Sequence, residues 1–227
     1  TPRLLLNSAS GRFPNGLANS TGLVGKNLMF HPYAQVYGYV AEPTDSNRAP
    51  PTCLWSKEFY ETDASRGFVR GYTFQFGRGL GPVPEAITSA ATGCLPWGAD
   101  HHRAFRRRVG RRIGLSAICE DLPEAHNHVT LDPVLKDGHG IPAPRIDYTL
   151  SDNSQRMMDH GIARASEILT AAGATDLYTS RTILNSPGHL LGTARMGNDP
   201  ERSVVNSWGR SHDVKNLFVV DGSVWVT

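Results

Sequence analysis

Hydrophobic and polar residues alternate in the early part of the chain with a period typical of β-strands. Over residues 67–76, GFVRGYTFQF, the aromatic side chains share one face. They are Phe68, Tyr72, Phe74 and Phe76. Residues 34–40, AQVYGYV, have similar strand character, and the Pro-rich segment 41–51 between the two stretches predicts a loop. We therefore expect two strands joined by a long loop.

A helical period replaces this alternation in the second half of the chain. Apolar residues recur every three or four positions after Asp152, which is predicted as an N-cap, and the pattern ends at Gly173. These residues are Met158, Ile162, Ala165 and Leu169. The pattern predicts one long amphipathic helix, and PRLLLNSA near the start of the chain predicts a short one.

Further strands are predicted at residues 113–120, 127–131 and near 145–149. Strands that follow one another, rather than alternating with helices, indicate an α+β fold and not a doubly wound parallel sheet. The apolar run Leu217 to Val220 is typical of a strand buried on both faces. It stops at Asp221 and Gly222, where the end of such a strand can hold a ligand, although an ordinary turn has the same composition.

Composition excludes several function classes and leaves the compartment open. A net charge of +2 is too small to indicate nucleic-acid binding, and no apolar run is long enough to span a bilayer. The three cysteines, Cys53, Cys94 and Cys119, are widely spaced and lack any CxxC pair. They are interpreted as free thiols or core residues, not as a disulfide framework or a zinc site.

Several histidines are candidates for metal ligation or charge interactions. His126 and His128 share one strand face, and His139 follows in a turn, so that a metal triad is conceivable. Val129 and Leu131 set the alternation, however, and leave these histidines at an exposed strand start, so no metal is predicted. The basic stretch 99–112, ADHHRAFRRRVGRR, is interpreted as a solvated helix face.

His189 lies in a different setting, between Gly188 and the pair Gly192-Thr193. Such a turn-rich loop is a place where functional side chains are often presented by a rigid scaffold. Taken alone, His189 is more typical of a structural histidine bonded to the backbone.

The surrounding sequence decides between these interpretations. Residues 189–227, HLLGTARMGNDPERSVVNSWGRSHDVKNLFVVDGSVWVT, resemble the C-terminal signature of the glucose–methanol–choline (GMC) oxidoreductases, which are FAD-dependent enzymes that oxidise alcohols. The resemblance extends to TPRLLLNS, to GLVGKNLMFHP (22–32) and to NHVTLDPVLKDGHGIPAPRIDY (127–148). The motif sequences are most similar to those of the branch that contains gluconate, fructose and polyol dehydrogenases.

This resemblance implies a cofactor, a reaction and three site residues. The cofactor is FAD, and the substrate is a small alcohol or sugar whose CH–OH group gives up a hydride to the flavin. His189 corresponds to the base that takes the hydroxyl proton, and its glycines at 188, 192 and 197 let the backbone approach the flavin. Asp221 and Gly222 correspond to flavin contacts. The electron acceptor, whether oxygen, a quinone or a separate subunit, is left open.

The resemblance also implies how the chain is divided. Residues 1–30 correspond to the end of a flavin-domain segment, and 31–185 to a substrate-binding domain with a mainly antiparallel sheet. Residues 186–227 correspond to the catalytic loop and the return to the flavin domain. The family's second catalytic residue, a His or Asn, follows beyond Thr227. We therefore expect a fragment, inactive in isolation.

The family's Gly-x-Gly-x-x-Gly unit is not found in this sequence. GRGLGP (77–82) follows a predicted strand, but Pro82 replaces the last glycine and no helix of apolar period is predicted after it, so we reject it. Two other function classes remain: a non-catalytic binding or assembly module of the same fold and, more remotely, a hydrolase with a metal at His126, His128 and His139.

Overall fold

The computed structural model describes residues 1–50, 52–182 and 189–226. These residues form two compact units. The first contains residues 1–31, 120–151 and 189–226, and the second contains 32–50, 52–119 and 152–182. The α+β class predicted from the sequence is confirmed, because the described residues contain four α-helices and seven strands that pair antiparallel.

The second unit is built on a five-stranded antiparallel sheet with the strand order β2-β3-β4-β1-β7. In chain order its strands are β1 (Tyr33–Tyr39), β2 (Thr52–Ser56), β3 (Tyr72–Gly77), β4 (Arg112–Cys119) and β7 (Thr175–Thr182). The predicted strands at 34–40 and 113–120 are therefore present. The predicted strand at 67–76 begins only at Tyr72, although Phe68 is buried as its pattern indicates.

Helix α4 (Asp152–Ala171) packs on β1 and β4. Met158, Ala165 and Leu169 are buried, as the helical period predicts, and Met157 and Gly161 join them. The helix ends before Gly173, which adopts a positive φ of 83°. A Cβ added at Gly161 would lie 2.8 Å from the Cβ of Ala117 on β4, so that only glycine permits this approach of helix to sheet.

Gly161→Ala is therefore expected to lower the free energy of unfolding by roughly 1 kcal/mol. The methyl group overpacks the helix–sheet contact by about 1–3 kcal/mol, which exceeds the gain in helix propensity of about 1 kcal/mol. Urea denaturation followed by circular dichroism measures the change. Gly138→Ala is the control, because a Cβ there meets nothing within 4 Å. Unchanged or increased stability of Gly161→Ala would contradict the prediction.

Two helices precede β4 in the same unit. Helix α2 (Pro82–Ala91) was not predicted, because its polarity is inverted: Glu85 and Ser89 are buried whereas Val83 and Ile87 are exposed. The Glu85 carboxylate accepts hydrogen bonds from the Tyr39 hydroxyl at 2.6 Å and from the Ser89 hydroxyl at 2.9 Å. Burial, followed by this bond to Glu85, raises the pKa of Tyr39 to about 12. Helix α3 (His101–Arg108) carries the basic stretch.

The first unit contains helix α1 (Pro2–Asn7) and the hairpin of β5 (His128–Lys136) and β6 (Pro142–Asp147). The rest of its chain is irregular and linked by isolated bridges. One cluster of its core gathers Leu5, Val24, Val205 and Val219, and a second packs Leu28, Phe30 and Val129 with Tyr148. Both clusters join segments that are far apart in sequence.

The strand predicted over residues 217–220 is wrong. Phe218 forms only an isolated bridge to Arg210, and the side chains alternate between buried and exposed. Val219 is 5% exposed, whereas Phe218 and Val220 are 56% and 87% exposed. The backbone has no continuous strand partner among the described residues, and Phe218 and Val220 form an exposed face of the apolar run.

Each of the two compact units is built from stretches that are separated in the sequence. Residues 120–151 pack with the two terminal segments rather than with the five-stranded sheet, which lies in the other unit. The chain first changes from one unit to the other after His31. No helix among the described residues combines the length and the apolar character that crossing a bilayer requires.

Candidate functional site

The segment that carries His189 is fixed by antiparallel pairing with residues 25–29. The backbone N–H groups of Met29 and Leu191 each donate to the other residue's carbonyl at 3.0 Å. The N–H of Gly25 donates to the carbonyl of Thr193 at 2.8 Å. Residues 25–29 are themselves paired with the segment around Val129, whose N–H donates to the Gly25 carbonyl. His189 therefore lies next to a scaffold of three chain segments that are joined by backbone hydrogen bonds.

Glycines in this region serve the packing of the chain on itself. Gly192 has φ +86°, and a Cβ there would lie 2.1 Å from the backbone oxygen of Asn27. A Cβ at Gly197 would lie 3.0 Å from the Cβ of Ser203. At these two positions the space that the missing side chain leaves is therefore filled by other residues of the protein and not left open for a flavin. Gly188 lies outside the described residues.

His189 opens onto a pocket of about 490 Å³. It shares this pocket with His31, Leu190, Leu191, Gly222 and Trp225. The imidazole of His189 is exposed, and the walls supplied by Leu190 and Trp225 are apolar. The structure thus brings two of the three predicted site residues, His189 and Gly222, to one cavity. An imidazole with apolar neighbours can accept a proton from a hydroxyl group placed beside it.

Asp221 and Gly222 form the turn on the other side of this pocket. A Cβ at Gly222 would lie 2.9 Å from the backbone oxygen of Leu190, so that these two backbones are in contact. The Asp221 carboxylate accepts hydrogen bonds from the backbone N–H of Ser223 at 3.0 Å, from the Ser223 hydroxyl and from the Thr1 hydroxyl. Asp221 begins the 3-10 turn Gly222–Val224.

The Asp221 carboxyl is held in its ionised form. Partial burial alone raises its pKa, but the hydrogen bonds from Ser223 and Thr1 outweigh that effect and hold the pKa below its ordinary value. Half of the side chain is exposed, so the carboxylate can accept further hydrogen bonds. It lies next to the pocket rather than among its lining residues.

The histidines considered for a metal have other neighbours. His126 Nε2 lies 3.2 Å from a carboxylate oxygen of Glu124, and His128 Nε2 lies 3.5 Å from one of Asp147. Neither pair includes His139, which is exposed in the β5–β6 turn. Over the part of the chain that the structure describes, no group of three or more His, Cys, Asp or Glu residues is arranged to hold a metal ion.

The rejected glycine motif at 77–82, for which no following helix of apolar period was predicted, is followed by helix α2, whose buried residues are polar. Its backbone is nevertheless engaged by the protein itself. The N–H of Gly79 donates to the Ser46 hydroxyl at 2.8 Å, and a Cβ there would lie 3.0 Å from the carbonyl of Arg112. Glu85 adds a buried carboxylate in the first helical turn, which is unfavourable for a phosphate.

Sequence reasoning did not single out His31 and Trp225, the remaining polar or aromatic residues of the pocket. His31 was quoted only as part of GLVGKNLMFHP, and Trp225 only as part of the final stretch. The pairing of Met29 with Leu191, which brings His31 to His189, joins segments with no local signal of their proximity.

Comparison with known proteins agrees with the motifs around this pocket. The sequence profile of GMC oxidoreductases matches residues 123–227, which include His189, Asp221 and Gly222. The chain belongs to the GMC oxidoreductase family. Its members act on alcohols and sugars, and the homologues of this chain are dehydrogenases and oxidases.

Two relatives of this GMC chain align over nearly its whole length. A 2-methyl-1,2-propanediol dehydrogenase of Mycolicibacterium austroafricanum is 42% identical, over 100% of this chain and 42% of that protein. The fructose dehydrogenase large subunit of Gluconobacter japonicus is 30% identical, over 98% of this chain and 40% of that protein. The chain therefore spans about two fifths of the length of these relatives.

The fold of this GMC chain is also found in a solved structure. A formate oxidase of Aspergillus oryzae, in a study of FAD modification, superposes with a TM-score of 0.59. The match covers 99% of this chain and 48% of that one at 17% identity. It therefore supports the fold and not the chemistry.

Proposed function

We propose that the protein containing this chain is an FAD-dependent oxidoreductase that oxidises the CH–OH group of an alcohol, polyol or sugar. The observation that carries this proposal is the pocket in which an exposed imidazole, His189, meets apolar walls and the side-chain-free surface of Gly222. The relatives that act on a propanediol and on fructose support the same substrate class. In this proposal His189 is the base.

The residues at the pocket fit a flavin. Gly222 lines the pocket with its backbone, and its lack of a side chain leaves room for the backbone of Leu190, so a planar ring system at this wall would meet backbone atoms. The ionised and half-exposed Asp221 can accept hydrogen bonds from hydroxyl groups such as those of a ribityl chain. We assign these two residues to flavin binding. When bound, the flavin supplies the acceptor for the hydride.

The chain's own contribution to the reaction is proton transfer. Oxidation of CH–OH to C=O removes one proton and one hydride, and His189 takes the proton from the hydroxyl group. Increasing negative charge on that oxygen favours departure of the hydride from the carbon atom. Leu190 and Trp225 supply apolar surface in the same pocket as the imidazole.

The test is anaerobic reduction of the flavin in the whole protein. A simple 1,2-diol, a ketohexose, an aldonate and a primary alcohol are mixed separately with the oxidised holoprotein in a stopped-flow instrument. Bleaching of the flavin absorbance with at least one of these compounds, and formation of the corresponding carbonyl product, is expected. A protein that binds flavin but is reduced by none of them would support the non-catalytic module instead.

Asp221→Ala is expected to reduce the content of bound FAD several-fold. The change removes the carboxylate acceptor and also the cap of the turn that positions Gly222. The ratio of flavin to protein absorbance after gel filtration measures the loss. Asp132→Ala is a matched control, because Asp132 also accepts backbone N–H bonds, from Val134 and Leu135, at an exposed position away from the pocket. Equal flavin content in both variants would remove Asp221 from the flavin site.

A further inference from the structure

We propose that His31 is a positioning residue that sets the orientation of the His189 imidazole. This inference rests on the proposed function, in which His189 is the base. His31 and His189 are the two histidines that line the 490 Å³ pocket, and their rings are in direct contact. His31 acts through this contact rather than on the substrate.

The backbone places the two histidines opposite each other. In the antiparallel bridge Met29 faces Leu191, and the two chains run in opposite directions from that point. Two residues further along one chain is His31, and two residues back along the other is His189. Residues two apart on a strand share a face. The same register that pairs Met29 with Leu191 therefore makes His31 and His189 a cross-strand pair.

The ring geometry restrains His189 more than it restrains His31. The ring centroids are 5.1 Å apart and the planes are inclined by 85°, which is an edge-to-face contact. His31 is partly buried. Leu28 and Met29, which lie three and two residues before it, are 1% and 3% exposed. His189 is exposed. The anchored ring therefore limits the rotation of the exposed one.

Limiting that rotation has a direct catalytic consequence. A base accelerates proton transfer only when its nitrogen atom points at the hydroxyl group, within about 2.6–3.2 Å. An exposed imidazole without a neighbouring ring samples several side-chain rotamers, and only some of them satisfy this condition. The contact with His31 raises the fraction of His189 rings in the productive orientation.

A double-mutant cycle on the anaerobic flavin-reduction rate of the holoprotein tests this role. His31→Ala is expected to slow reduction roughly 5- to 10-fold, the size of an edge-to-face ring contact. His31→Phe keeps a ring at this position and is expected to recover most of the rate. In the His189→Ala background, His31→Ala is expected to cause no further loss, because the group through which it acts is gone.

Bound flavin and thermal midpoint are measured for every variant, and His139→Ala, an exposed histidine outside the pocket, is the control. If His31 has only a structural role, His31→Ala lowers stability or flavin content, and the losses of rate in the cycle are additive. Additive losses, a parental rate in His31→Ala, or failure of Phe to recover the rate would overturn the positioning role. If His189→Ala alone reacts at the parental rate, His189 is not the base, and the positioning role of His31 is overturned as well.

Discussion

His189→Ala in the flavin-loaded protein is expected to slow flavin reduction by roughly 10²- to 10⁴-fold, the usual contribution of a positioned acid or base. The imidazole is exposed in its pocket, so its removal leaves no cavity in a packed core. Thermal stability and flavin content are therefore expected to stay close to those of the parent. The loss falls on the chemical step, which anaerobic stopped-flow measurement at saturating alcohol isolates.

The same substitution at another exposed histidine provides the comparison for this result. His139 lies in the turn between β5 and β6, outside the pocket, and His139→Ala is expected to react at the parental rate. His189→Gln adds a second probe, because glutamine can hydrogen bond but cannot take up a proton at neutral pH. It is expected to remain nearly as slow as the Ala variant. Reduction of His189→Ala at the parental rate would return His189 to a structural role.

Gly192→Ala is expected to lower the free energy of unfolding by about 3 kcal/mol or more. Its φ of +86° is strained for any residue with a Cβ, and the added atom would lie 2.1 Å from the backbone oxygen of Asn27. This nearest atom belongs to the backbone and not to a flexible side chain, so the pairing of Met29 with Leu191 has to open. Flavin reduction is expected to fall as well, because this pairing carries both His31 and His189.

Steric overlap and backbone strain can be separated within the same unit. Gly140 has a similar φ of +77°, but a Cβ there meets nothing within 4 Å. Gly140→Ala is therefore expected to cost about 1 kcal/mol, from the backbone conformation alone. Urea denaturation of both variants measures the difference. Equal losses of stability would mean that the contact with Asn27 relaxes easily and that Gly192 is required only for its φ.

Central elements of the fold were predictable, and marginal ones were not. Strands β1 and β4 lie inside the sheet and have the alternation or apolar content that a sequence pattern detects. Strands β2 and β7 form its two edges and were missed. Leu54 and Trp55 on β2 are each 55% exposed, and β7 has the mostly polar sequence TDLYTSRT. An edge strand buries too little side-chain surface for a hydrophobic alternation to appear in its sequence.

Helix α2 was missed for a different reason. A search for buried apolar positions fails when a helix buries Glu85 and Ser89 instead, because the partner that makes this favourable, Tyr39, lies on another element. The candidate site shows the same limit. His189 and Gly222 were found by resemblance of local motifs, whereas His31 depends on the pairing of two distant segments.

The assembly of the first unit from three separated stretches determines when its pocket can form. Residues 1–31 and 120–151 are synthesised before the stretch that contains His189 and Gly222. Contacts of such long sequence separation form slowly, because the intervening chain has to be ordered before they add stability. The sheet unit, whose described chain ends at residue 182, can fold before that stretch has left the ribosome. The pocket therefore forms after the sheet unit can fold, and a variant that slows only this docking step yields protein with a native sheet and without the pocket.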